Sequence, residues 1–235
     1  MYYDFYVYTD EFLDFDKAFE VTKTLVDSVA AEQLTGYNFN RYTVEGDDRT
    51  PHITVRLNLE STNQSSKVTE KLSEMKSNGV VDDFTDNNPL VTPFREYSIN
   101  HQLAHEASTQ CAFKFYDKKN QNPGEFQAFT RDKVAFLREF IPLWLKYSGF
   151  VFQGVTSVTS SSSTLIEELA KECGAIVGSI KVNQITDIHV FSERLIHIFM
   201  NCICVPTNEE IAVLINLARR FGYSNLQEFL SDLAL

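Results

Sequence analysis

Eight residues, HITVRLNL (His52 to Leu59), alternate polar and apolar without a break. Successive side chains on a strand point to opposite faces, so this alternation commits the segment to a strand with one buried face. Ile53, Val55, Leu57 and Leu59 make the apolar row. His52, Thr54, Arg56 and Asn58 make the other. A solvated row ordinarily carries scattered Lys, Glu and Thr. A histidine and an arginine in one row point instead to a face that meets something more specific than bulk water. Phe39 to Tyr42 reads as the preceding strand, joined to this one by a charged loop.

The surrounding segments complete a pattern. Tyr2 to Tyr8 alternates aromatic and polar residues and predicts a strand. Asp14 to Leu34 carries apolar residues at helical spacing with acids in its first turn, and Gly36 is read as its terminator. Ser66 to Ser77 predicts a second helix with Val68, Leu72 and Met75 on one face and Gly79 after it. VVDDF (Val80 to Phe84) predicts a fourth strand. The order β-α-β-β-α-β predicts an α+β fold whose first unit, residues 1–95, is ferredoxin-like, with both helices against the apolar row. The opposite face would then display Tyr2, Asp4, Tyr6, Tyr8, Asn38, Asn40 and Tyr42 beside His52, Thr54, Arg56 and Asn58.

Asn87 to Ser98, with two prolines and no periodicity, reads as a linker. Residues 96–235 then read as a mostly helical unit. Helices are expected over His101 to Tyr116, over Phe126 to Tyr147 with a bend or a break near Pro142, and around Ile188 to Cys202. Thr164 with Glu167, Thr207 with Glu210, and Ser224 with Gln227 mark three further helix starts. The helical unit is expected to pack on the polar sheet face and to leave a polar cleft; the plainer reading is a polar interface with no chemistry.

Composition limits the partners. The net charge is −11, and both parts share it: residues 1–95 hold 9 Lys and Arg against 17 Asp and Glu, the remainder 12 against 15. A face of Tyr, Asn, His and Arg on a basic protein would suit RNA. Here phosphate repulsion argues against nucleic acid and against anionic membrane surfaces. No apolar run approaches the ~20 residues of a spanning helix. The N-terminus lacks the basic and apolar regions of a signal peptide. Cys111, Cys173, Cys202 and Cys204 form no paired framework, so they are expected to be reduced and the protein cytoplasmic.

Three histidine settings could carry chemistry. HIT at His52 matches half of a two-histidine phosphoesterase signature, but His189 and His197 lack the hydroxyl residue at the third place. His101 and His105 share a helix face and could hold a metal with a third ligand from elsewhere; the plainer reading is a solvated first turn. No cofactor is expected. His197 lies in SERLIHIFMNCI, among Leu195, Ile196, Ile198 and Phe199. It is either a core histidine bonded to a carbonyl or, with Asn201 four residues on, the polar stripe of an apolar helix. An imidazole titrates near pH ~6.5 in water, which suits proton transfer.

FNRYTVEGDDRTPHITVR, then FREYSINHQLAHEA, then LIHIFMNC, taken in order and spacing, resemble the glutamate-elimination domain of the lanthipeptide dehydratases. That domain also occurs alone in thiopeptide biosynthesis, including as the pyridine-forming cyclase. The resemblance implies a lyase acting on glutamylated Ser or Thr of a ribosomal precursor peptide. Arg56 would bind the glutamyl carboxylate, Arg95 would be a second anion-binding arginine, and His197 would be the acid–base group. Arg41, His52 and Asn201 fall in the same motifs and are expected on the substrate side. The chain departs from the pattern at Thr54 and Cys202, where arginines are usual, and at EYSIN, where a glycine pair is usual. Two other readings stand beside it: a non-catalytic module binding a peptide or protein segment, and a metal-dependent enzyme using His101 and His105.

Overall fold

The computed structural model describes residues 1–9, 15–42, 52–86, 94–124, 126–127, 132–161, 163–180 and 182–235. The charged hairpin loop, Asp14, and residues 87–93 of the expected linker lie outside them. The chain divides into two compact units, residues 1–98 with 201–204, and residues 99–200 with 205–235.

The first unit runs β1 (Tyr2–Tyr8), α1 (Phe15–Asp27), β2 (Leu34–Tyr42), β3 (His52–Leu59), α2 (Thr62–Ser77) and β4 (Asp83–Asp86). The strands form one sheet in the order β2-β3-β1-β4, and every neighbouring pair is antiparallel. The apolar row of β3 is sealed, with Ile53, Val55, Leu57 and Leu59 all buried beside Phe5, Val7 and Phe39. Phe19 of α1 packs edge-on against Phe39 at 5.1 Å, which places α1 on that face. Val68, Leu72 and Met75 of α2 are buried as their spacing predicts. Gly79 then adopts φ +68°, and the Val80 N–H bonds the Met75 carbonyl at 2.9 Å to close the helix end.

Boundaries differ from expectation: α2 begins at Thr62 rather than Ser66, and two further differences have a clear physical reason. The first helix stops at Asp27; a short 3₁₀ turn (Ala31–Gln33) follows and β2 is already under way at Leu34. Gly36 therefore terminates no helix. It sits inside β2, where the register slips between Leu34 and Gly36, a place where a missing side chain eases an irregular ladder. The fourth strand starts at Asp83 rather than Val80, because Val81 is spent on the core ahead of the ladder.

The second unit is built from α3 (Ile99–Gln121), α4 (Lys133–Tyr147), α5 (Thr164–Gly178), α6 (Ile188–Cys202), α7 (Thr207–Arg220) and α8 (Leu226–Asp232). Phe136, Phe140 and Trp144 recur every fourth residue on α4 and stack in turn at 5.5 Å. Phe199 of α6 meets Phe140 at 5.2 Å and Trp144 at 4.9 Å. Such pairs add about 0.5–1.5 kcal/mol each beyond their buried area. Of the bend or break expected at Pro142, the break does not occur. Pro142 lies inside α4, where its missing N–H leaves the Arg138 carbonyl without an intrahelical donor. Nη1 of Arg220 on α7 donates to that carbonyl at 3.4 Å.

The helix starts are shifted by a residue. Ser163, not Thr164, caps α5 by accepting from the Ile166 N–H, and Asn225, not Ser224, caps α8 by accepting from the Glu228 N–H at 2.8 Å. Thr207 is the first residue of α7, behind Pro206, and makes no cap bond. No helix among the described residues is long and apolar enough to cross a membrane.

Candidate functional site

Alternation in β3 puts Arg56 opposite Asp4 on β1 and Asn38 on β2, all on the sheet face away from α1. That face is not wet. Asp4, Tyr6, Asn38, Asn40, Thr54 and Arg56 are all buried, and Arg56 is only 1% exposed. Its Nη1 donates to Asn38 Oδ1 at 3.2 Å, and its Nε lies 3.9 Å from Asp4 Oδ1. Phe94 lies over the guanidinium at 4.8 Å and Tyr97 at 6.0 Å. Asp4 Oδ2 accepts the Phe94 N–H at 3.1 Å. One ion pair thus holds the 3₁₀ turn Phe94–Glu96 against the sheet. Arg95, in the middle of that turn, is exposed. His52 is half-buried, with the Tyr8 ring at 5.3 Å and the Tyr6 ring at 6.1 Å.

Arg41 pairs with Ile53 in the ladder, so it belongs to the face that carries Phe39 and Val55, not to the His52 and Arg56 face. Its backbone serves a different purpose. β2 is an edge strand, and Arg41 turns its N–H outward, where Asn201 Oδ1 accepts it at 3.2 Å. The Cys202 thiol sits 3.4 Å from the Phe39 carbonyl on the same edge. Residues 201–204 therefore close part of an edge that would otherwise offer itself for strand pairing. The other edge, β4, is four residues long and reads DFTD, with both acids exposed.

In the second unit, α6 shows the expected stripe. Leu195, Ile196, Ile198, Phe199 and Met200 are buried, while His197 and Asn201 are partly exposed. His197 is not a core histidine on a carbonyl. Its Nδ1 lies 2.8 Å from Glu210 Oε1, with 36% of the imidazole side chain exposed and only 9% of the carboxylate side chain. Nε2 makes no hydrogen bond among the described residues. The approach depends on how α6 ends. The Val205 N–H bonds the Met200 carbonyl at 3.0 Å, with Cys204 at φ +61°, a left-handed position usually given to glycine. Pro206 then starts α7, and Glu210 lies in its first turn, where free backbone N–H groups favour a carboxylate.

His101 and His105 lie on α3, the first half-buried and the second sealed. Partial burial, then Arg194, hold His101 below the usual histidine range, with Glu193 pulling the other way. Beside them Glu106 is pushed up to about 7 by burial. Among the described residues, no group of three or more His, Cys, Asp and Glu is placed to hold a metal ion.

No protein-family model matches the sequence, and no curated protein matches it. Solved structures do. The fold is similar to that of MibB, a tRNA-dependent lantibiotic dehydratase from Microbispora sp. 107891. The match covers 93% of this chain at a TM-score of 0.52 and 12% identity. The chain spans 28% of the length of MibB.

Glu210, Asp4 and Phe94 escaped the sequence reading as partners. Glu210 stands 13 positions from His197 and looked like a capping residue. The alternation of β1 puts Asp4 on the same face as Arg56, and only the β1–β3 pairing sets the two opposite each other. Phe94 carries no sequence signal for its place over the guanidinium.

Proposed function

We propose that this chain is a diverged elimination domain of the lanthipeptide-dehydratase type, acting on glutamylated Ser or Thr of a ribosomal precursor peptide. The fold likeness to MibB over 93% of the chain carries the reading. The domains on this reading are a ferredoxin-like unit, residues 1–95, and a helical unit, residues 96–235. The strand order β2-β3-β1-β4 supports the first description. Four reduced cysteines fit a cytoplasmic protein.

His197 removes the proton from the α-carbon of the esterified residue. The electron pair forms the Cα–Cβ double bond as the Cβ–O bond breaks, and glutamate leaves as its carboxylate. By the resemblance, Arg95 is an anion-binding arginine, and a guanidinium suits the leaving carboxylate. Arg56, engaged by Asp4, Asn38 and Phe94, positions the turn that bears Arg95. His52 lies on the substrate side, whereas Arg41 and Asn201 brace the β2 edge.

The test is a synthetic peptide carrying an O-glutamyl serine. Incubation with the chain releases glutamate and leaves a dehydrated residue, followed by mass spectrometry, and His197→Ala abolishes the release. An ester that stays intact while the peptide binds would support the second reading, a non-catalytic peptide-binding module. The burial of Arg56, and Thr54 where the family has an arginine, favour that alternative.

A further inference from the structure

We infer that Glu210 is a positioning residue for His197, holding the neutral imidazole as its Nδ1–H tautomer and leaving the Nε2 lone pair as the proton acceptor. The role given to His197 rests on the elimination reading; the tautomer does not. The carboxylate is nearly sealed, the imidazole is part-exposed, and the bond between them is 2.8 Å. A carboxylate is acceptor-only when ionised, so the imidazole nitrogen in this bond carries the proton. Nε2 is then the nitrogen free to take one. A buried carboxylate behind an accessible imidazole orients the ring and stabilises the imidazolium formed when a proton arrives.

The local fold makes the pair rigid. The left-handed Cys204 and the Met200–Val205 bond turn the chain at a fixed angle. Pro206 fixes φ at the next step. The Glu210 N–H is bonded to the Pro206 carbonyl at 2.9 Å, so the carboxylate projects from an ordered first turn. Ile196 and Ile198, the chain neighbours of His197, are buried and anchor this stretch of α6. A surface ion pair between two long side chains would have none of this support.

The experiment is imidazole ¹⁵N–¹H NMR on the full chain, with the His197 signals assigned by their loss in His197→Gln. The wild type at neutral pH is expected to show His197 as the Nδ1–H tautomer. In Glu210→Ala it moves toward Nε2–H, and in a turnover assay with the glutamyl-serine peptide kcat falls on the order of 10²-fold with KM little changed. Glu210→Gln keeps size and hydrogen bonding if the alanine variant fails to fold; it weakens the deshielded Nδ1–H signal by removing the charge. A wild-type His197 found as Nε2–H overturns the inference whatever the activity. A wild-type Nδ1–H tautomer lost in Glu210→Ala, in a chain that releases no glutamate, upholds the positioning role and overturns the elimination reading.

Discussion

Asp4 and Arg56 face each other across β1 and β3 with 3.9 Å between Oδ1 and Nε, both nearly closed to water. Removing one member of such a pair leaves a buried charge uncompensated. Arg56→Met is therefore expected to cost about 3 kcal/mol, measured by urea denaturation. The double variant Asp4→Asn with Arg56→Met should recover part of that loss, since no lone charge remains. Strict additivity of the two single variants would contradict the coupling.

Glu106 predicts a pH dependence of stability. Its folded pKa, about 7, lies above the ordinary 4.5, so the folded state holds this proton more tightly than the unfolded state does. Between those values the native chain binds more protons, and stability falls as pH rises. The contribution is full below about pH 4.5 and gone above about pH 7. Discounted for partial exposure, it amounts to about 1–2 kcal/mol. Glu106→Gln should flatten the wild-type decline in urea midpoint between pH 5 and pH 8. Parallel profiles for the two proteins would refute it.

Gly174 on α5 lies where a Cβ would come 2.5 Å from the Cβ of Tyr147 and 2.7 Å from its carbonyl carbon. The obstacle is largely backbone, which cannot turn aside. Gly174→Ala is expected to destabilise the chain by about 3 kcal/mol and to lower its thermal midpoint. An unchanged midpoint would mean that α4 and α5 stand further apart.

Asn201→Ala removes the side chain that accepts the Arg41 N–H on the β2 edge. A cost of about 1 kcal/mol is expected, together with faster hydrogen exchange at Arg41. Exchange at Val55, deep in the ladder, should change little.

The repeating patterns were readable where burial is one-sided. β1, β3 and α6 follow the expected spans because alternation or a four-residue stripe runs their whole length. The α1–β2 junction was misread because a glycine near a helix end resembles a terminator, and only the ladder reveals Gly36 as a strand residue. Cap positions slipped by one because hydroxyl and amide residues adjoin at Ser163–Thr164 and Ser224–Asn225, and backbone geometry selects between them. Arg56 looked like a substrate ligand since nothing in β3 itself names its partners: Asp4 is 52 residues away and Phe94 is 38 residues away. His197 stood out by polarity alone, while its partner Glu210 required the turn at Cys204 to bring the first turn of α7 to the imidazole.

The four buried thiols divide evenly, Cys202 and Cys204 in the first unit and Cys111 and Cys173 in the second, where each of the latter pair rests its sulfur on the other's carbonyl. An alkylating reagent reaches any of them only when the surrounding chain opens. The rate at which each is modified is therefore a clock for its own unit, and peptide mapping after timed exposure would read two opening equilibria from one protein with no engineered substitution.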